Sequence, residues 1–141
     1  WATWCLPCRE EMPSMQALHE AYARDGLAIV AVSIDDPGSE RAIRDFAAEY
    51  GLTFDILHDP SGDIRRIYQT TGVPETFLID AGGRIVRKQI GATDWNSSGN
   101  RALVAGLLGV TGPSTGGPSG GTAGDTARAV PVPVSPSVAV P

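Results

Sequence analysis

Apolar residues recur at spacings of three and four over residues 8–23, with Met12, Met15, Leu18 and Tyr22 sharing one face, and predict an amphipathic helix. Pro13 falls inside it and predicts a kink, because proline removes one N–H and crowds the preceding turn. Asp25-Gly26 ends the helix, Gly26 being suited to a left-handed cap. Residues 27–34 (Leu-Ala-Ile-Val-Ala-Val-Ser-Ile) form a nearly continuous apolar run, the pattern of a parallel strand covered on both faces. Asp35-Asp36-Pro37-Gly38 reads as a turn. Ser39 then caps a helix through Glu49 whose apolar stripe is Ile43, Phe46 and Ala47.

The second half of the pattern is shorter-ranged. Residues 53–57 suit a short strand, and Asp59-Pro60-Ser61-Gly62 leads into a helix containing Ile64, Ile67 and Tyr68. Two strands, 76–79 and 84–90, join across Asp80-Ala81-Gly82-Gly83, a hairpin signal. A last helix covers residues 98–108. Helices alternating with strands, then a hairpin and a final helix, predict an α/β layer fold with a mixed sheet. From Thr111 the composition turns to Gly, Pro, Ser, Thr, Ala and Val, with Asp125 and Arg128 the only charges. Such a segment buries too little apolar surface to offset its ordering entropy, so residues 1–110 are expected to form one domain and 111–141 a disordered tail.

Charge and composition narrow the function classes. At 141 residues and 42% hydrophobic content the chain suffices for one core and hardly two. A net charge of −5 argues against a nucleic-acid partner held through phosphates. No run approaches the roughly 18 apolar residues of a membrane span. The two cysteines, Cys5 and Cys8, are too few for the framework of a small secreted domain and read as a working pair. At that spacing, at a helix start, their sulfurs share one face of the first turn and can join as a disulfide or part as a dithiol. Free N–H groups and the helix dipole at an N-terminus stabilise a thiolate there. Half of a zinc site is the competing reading. It would need two more ligands, and only His19 and His58 are available, neither at finger spacing. The chain is therefore expected to hold no metal and no cofactor, with both histidines as surface or loop residues and Met12 and Met15 as core.

Trp1-Ala2-Thr3-Trp4-Cys5-Leu6-Pro7-Cys8-Arg9-Glu10-Glu11-Met12-Pro13 resembles the active-site segment of thioredoxin-like proteins of the TlpA/ResA/DsbE type. Gly72-Val73-Pro74-Glu75-Thr76-Phe77-Leu78-Ile79-Asp80 resembles the second signature of that family, and the two occur in the family's order. The resemblance implies a thioredoxin-like three-layer sandwich and thiol–disulfide exchange. Cys5, nearer the helix start, is expected to be the more exposed attacking thiolate, and Cys8 to be buried and to resolve the mixed disulfide. The resemblance also implies a cis peptide at Pro74, with Val73 backbone groups free to pair with an extended substrate. It places Glu11 near the cysteines as a tuner of their protonation, and Trp4 on the substrate surface with Trp1 beneath it in the core. Glu75 matches the variant of the cytochrome c maturation branch.

In the resembling fold a central strand runs into the Trp-Cys motif, and none precedes Trp1 here. The strands at 27–34 and 76–80 are therefore expected to flank a gap, with that strand and an export signal or membrane anchor supplied upstream. The functional expectation is an extracytoplasmic reductase of protein disulfides, apocytochrome c among them, kept reduced by a membrane thiol donor. A general oxidase or isomerase is the alternative within the class. A peroxiredoxin-like enzyme is another, because the helix after Asp36 resembles those relatives, although their Pro-x-x-x-Thr-x-x-Cys pattern is absent. A copper-binding thioredoxin-like chaperone would prefer wider cysteine spacing with a histidine nearby, and an idle interaction domain would need neither thiol.

Overall fold

A computed structural model of the chain describes residues 1–112. The first helix, α1 (Leu6–Tyr22), starts two residues ahead of the apolar periodicity. Pro7 lies in its first turn, where a missing N–H costs no hydrogen bond and the fixed φ already suits a helix. Cys5 consequently becomes the N-cap. The helix runs through Pro13 and buries Cys8, Met12, Met15, Leu18 and Tyr22 along one face, as the periodicity predicts. A single 3₁₀ turn (Ala23–Asp25) and Gly26, at φ 102°, end it in the left-handed region that a side chain disfavours.

The strand β1 (Val30–Ser33) is shorter than the apolar run and is not covered on both faces. Val30 is 53% exposed while Ala31 and Ser33 are buried, so the expectation of a doubly covered strand gives way to ordinary alternation. β1 pairs in parallel with β2 (Asp55–His58), Val30 opposite Asp55 and Ser33 opposite His58. Its other edge takes Trp1, whose N–H donates to the Val32 carbonyl (3.1 Å) and whose carbonyl accepts from the Ile34 N–H (2.9 Å). Between β1 and β2 lies α2 (Glu40–Glu49). Ser39 occupies the cap position but its hydroxyl makes no capping bond; Ile43 and Phe46 hold the helix to the core instead.

The helix α3 (Asp63–Ile67) has five residues and buries none of them. Ile67 is 60% exposed, so its expected apolar face is not used, although Tyr68 just beyond it rests on Phe77 at 4.9 Å between rings. The hairpin of β3 (Glu75–Ile79) and β4 (Ile85–Ile90) is antiparallel, with an irregularity between Leu78 and Ile79. Its turn is closed by the Asp80 carboxylate, which accepts from the N–H groups of Gly82 (2.9 Å) and Arg84 (3.0 Å). The last helix, α4 (Ser98–Leu108), matches the sequence reading. Ser97 caps it and Gly109 stops it.

The strands form two two-stranded ladders, β1–β2 and β3–β4, where the sequence reading has one mixed sheet. Parallel and antiparallel pairing both occur, but among the described residues no ladder bond joins the halves. The proposed tail, 111–141, lies outside the described residues apart from its first two. Aromatic packing anchors the core: the Trp1 and Phe46 rings are 4.8 Å apart, Phe46 stacks on Tyr50 at 4.5 Å, and Arg9 covers both latter rings at 5.4 and 5.5 Å.

Phe46 is 3% exposed at the centre of this cluster. Phe46→Ala is expected to lower the unfolding free energy by about 3–5 kcal/mol, through lost transfer energy plus the cavity left behind. Urea denaturation checks this; a loss of under about 1 kcal/mol would mean that the ring cluster is not a packed core.

Candidate active site

Cys5 and Cys8 are joined as a disulfide across the first turn of α1, with Cα atoms 5.3 Å apart. The Cys8 N–H also points at the Cys5 sulfur, 3.2 Å away, so that Cys5 is capped by the helix it begins. Both residues are buried, Cys5 at 4% exposure and Cys8 at 1%. The order agrees with the expectation, but the free exposure expected of Cys5 does not hold in the disulfide state. What is exposed are its neighbours, Trp4 at 67% and Leu6 at 66%, large apolar groups on either side of the sulfur. Trp1 is core, as expected.

The turn leading into Cys5 is pinned from outside. The Cys5 N–H donates to the Ala2 carbonyl at 3.1 Å. The buried Asp35 carboxylate, just past β1, accepts the Thr3 N–H (2.9 Å to Oδ2, 3.2 Å to Oδ1), the Thr3 hydroxyl (2.6 Å) and the Ser33 hydroxyl (2.6 Å). Burial alone would push this carboxyl up, but the bonds from Ser33 and Thr3, with nearby His58, hold it below its ordinary value. His58 donates from Nε2 to the Asp35 carbonyl (2.9 Å) and meets Glu40 at 3.6 Å through Nδ1. Read by pattern, Asp35 is only a turn former; the one clue was an acid directly after an apolar strand. His19 packs edge-on against Phe54. Among the described residues no group of three or more His, Cys, Asp or Glu is placed to hold a metal.

Glu11 sits one turn beyond Cys8 and is 4% exposed, so it is not a solvated first-turn glutamate. Its carboxylate accepts the Thr93 N–H (3.0 Å) and approaches the Thr76 hydroxyl (3.4 Å), tying α1 to β3 and to the loop before α4. Burial raises the Glu11 carboxyl above its ordinary value, and the bonds from Thr93 and Thr76 only partly offset this. The Trp95 indole N–H lies close enough to favour the charged form but makes no hydrogen bond of proper geometry. An open cleft beside Glu11 is lined by Glu10, Pro13, Ser14, Ala92, Thr93 and Asp94.

The Val73–Pro74 peptide is cis, as the resemblance implied. Pro74 is buried and Val73 packs against the core, while among the described residues no hydrogen bond engages the Val73 backbone. Glu75, which the sequence connects only with a substrate class, anchors this loop. Its carboxylate accepts the Thr71 N–H (2.7 Å) and hydroxyl (2.6 Å), and Lys88 reaches it at 2.9 Å. Burial opposes the charge, but Thr71 and Lys88 lower the Glu75 carboxyl to about 2.

The AhpC/TSA family model matches residues 1–88. Among curated proteins, the chain is 45% identical over 85 residues to the thiol-disulfide oxidoreductase ResA of Oceanobacillus iheyensis, covering 60% of this chain and 43% of that protein. It is 46% identical over 92 residues to the thioredoxin-like protein YneN of Bacillus subtilis, covering 64% and 53%. The chain spans about half the length of the curated relatives it matches. Among solved structures, a putative thiol:disulfide interchange protein DsbE from Chlorobium tepidum aligns with a TM-score of 0.69 at 30% identity, over 77% of this chain and 75% of that one. StoA from Bacillus subtilis aligns with a TM-score of 0.57 at 31% identity, over 67% and 71%. The fold is thioredoxin-like.

The raised Glu11 carboxyl has a definite consequence for stability. Its proton is held more tightly in the folded chain, so its contribution is fully present below the unfolded value, near 4.5, and is lost as pH rises through the folded one. Relative to Glu11→Gln, the parent is expected to lose stability between pH 4.5 and neutrality, the depressed Asp35 and Glu75 cancelling in the difference. Urea unfolding of both proteins across that range checks it; a difference that stays flat or grows with pH contradicts the assignment.

Proposed function

The chain belongs to the AhpC/TSA family, and on that premise we propose that residues 1–110 work as a thiol–disulfide oxidoreductase on protein substrates through Cys5 and Cys8. The observation that carries this reading is the disulfide closed across the first turn of α1, between the exposed Trp4 and Leu6. In the reducing direction, the Cys5 thiolate attacks one sulfur of a substrate disulfide and expels the other as a thiolate. Cys8 then attacks Cys5 in the mixed disulfide, releasing the second substrate thiol. One substrate disulfide becomes a dithiol as this dithiol becomes the disulfide, two electrons passing between them.

Each neighbouring group has a part in the proposal. The Cys8 N–H directed at the Cys5 sulfur, with the helix dipole behind it, stabilises the thiolate form that attacks and leaves. Glu11, buried one turn past Cys8 and raised in pKa, holds a proton closer to neutrality than an ordinary carboxyl and exchanges it with the dithiol. The unengaged Val73 backbone, held by cis Pro74, offers a strand edge to an extended polypeptide, and Trp4 supplies the apolar contact beside the sulfur.

The narrower reading is an extracytoplasmic reductase fed by a membrane thiol donor, with apocytochrome c among its substrates. It rests on the resemblance to the TlpA/ResA/DsbE type and on relatives named as thiol-disulfide oxidoreductases. Among the described residues no helix is long and apolar enough to cross a membrane.

Insulin disulfide reduction with dithiothreitol as donor tests the chemistry. Cys5→Ala is expected to abolish turnover, and pre-reduced Cys8→Ser, mixed with insulin after the dithiothreitol is removed, to accumulate a mixed disulfide that added dithiothreitol releases. Turnover that persists without Cys5 overturns the proposal.

A further inference from the structure

The turn before Cys5 owes its shape to a residue from a different part of the chain. Thr3 sends two donors, its N–H and its hydroxyl, into one buried carboxylate on the segment after β1. Its carbonyl receives Arg9 from α1 at 3.5 Å, and the next link, Ala2 carbonyl to Cys5 N–H, closes the turn. Ser33 Oγ donates to Oδ2, the oxygen that also takes the Thr3 N–H, and accepts the Asp35 N–H, without touching the turn. Among the other charged or titratable groups of the surrounding elements, the Trp1 amino group faces Asp35 from the edge of β1, His58 and Glu40 hold the Asp35 segment, and Arg9 holds Thr3.

We propose that Asp35 is a positioning residue for the exchange reaction, clamping Thr3 so that Cys5 stays poised over the first turn of α1 even when the disulfide is open. The inference rests on Cys5 and Cys8 being the exchanging pair. In the disulfide state the S–S bond itself restrains residues 5–8, and the clamp adds little. In the dithiol state the S–S restraint is gone, and the clamp on Thr3 adds to the helix turn in keeping the two sulfurs together, which raises their effective concentration for closing the ring. A restraint that acts on one redox state shifts the equilibrium between them by its differential effect. Loss of the clamp therefore favours the dithiol and makes the pair less reducing.

The readout is the equilibrium with glutathione at fixed pH. One Cys5–Cys8 disulfide and two glutathione thiols give one dithiol and one glutathione disulfide, measured by acid quenching and alkylation. Thr3→Val removes one 2.6 Å bond between the turn and Asp35, and Ser33→Ala removes one of the same length that does not reach the turn. Thr3→Val is expected to shift the constant toward the dithiol by about three- to tenfold, only the part of one hydrogen bond's contribution that differs between the two redox states counting in the equilibrium. Ser33→Ala is expected to leave it unchanged, and Thr3→Ser, which keeps the hydroxyl, to restore it. Asp35→Ala should give the largest shift; if it fails to fold, the Thr3 and Ser33 pair still decides. Equal effects of Thr3→Val and Ser33→Ala, no effect of either, or no rescue by Thr3→Ser overturns the clamp. The measurement involves no protein substrate, so it is separable from the insulin assay that tests the activity itself.

Discussion

Burial of one face of α1 is the constraint on which the other elements depend. Met12, Met15, Leu18 and Tyr22 can leave water only if β1, α2 and α4 close over them, and the core residues of those elements, Ala31, Ile43, Phe46, Val104 and Ala105, do so. The same helix carries Cys8 into that core at its first turn, which leaves Cys5 at the boundary as the cap. Apolar packing thus fixes the helix's buried face, Pro7 in the first turn fixes where it starts, and the start fixes where the sulfur lies. A disulfide between positions three apart then closes with no further adjustment of the backbone, because the turn of helix already brings the Cα atoms to 5.3 Å.

Around that apolar spine the loops are held by acids. Three buried or half-buried carboxylates each tie a segment that has no regular structure: Asp35 the turn before Cys5, Glu75 the loop with cis Pro74, Glu11 the segment before α4. All three pay for burial, yet they titrate in opposite directions. Asp35 and Glu75 each accept at least three close hydrogen bonds or ion-pair contacts, enough to outweigh desolvation and keep the charge. Glu11 accepts one good bond and one long one, and desolvation wins. The difference is a count of donors, and it separates two acids that keep their charge from one that burial inclines to hold its proton.

The sequence made the helices and the chemistry legible to different degrees. The apolar period of α1, the hairpin turn at Asp80 and the bounds of α4 are local signals, and the structure keeps them. The apolar run at residues 27–34 says only that residues avoid water on average, and Val30 shows that one face of β1 stays half open. In the short α3, Ile64 and Ile67 have the right spacing but too little helix to reach the core. The cysteine pair and Pro74 were readable from motif resemblance. Asp35 was not, since its partner Thr3 is 32 residues away and neither residue has a pattern of its own.

This last miss is informative about how the site is built. The contacts that shape it span long stretches of chain: 32 residues from Thr3 to Asp35, 65 from Glu11 to Thr76, 82 from Glu11 to Thr93. Residues between the cysteines set only the local turn, through Pro7 and the free N–H groups of the helix start. Geometry on the two sides of the sulfurs is therefore imposed by the segment after β1, by β3 and by the loop before α4, so the disulfide's surroundings exist only when the domain is folded. In an extended or partly unfolded chain the same four residues would keep neither the carboxylate on Thr3 nor the buried acid beside α1. The geometry around the disulfide is in this way tied to folding through buried hydrogen bonds rather than through the motif alone.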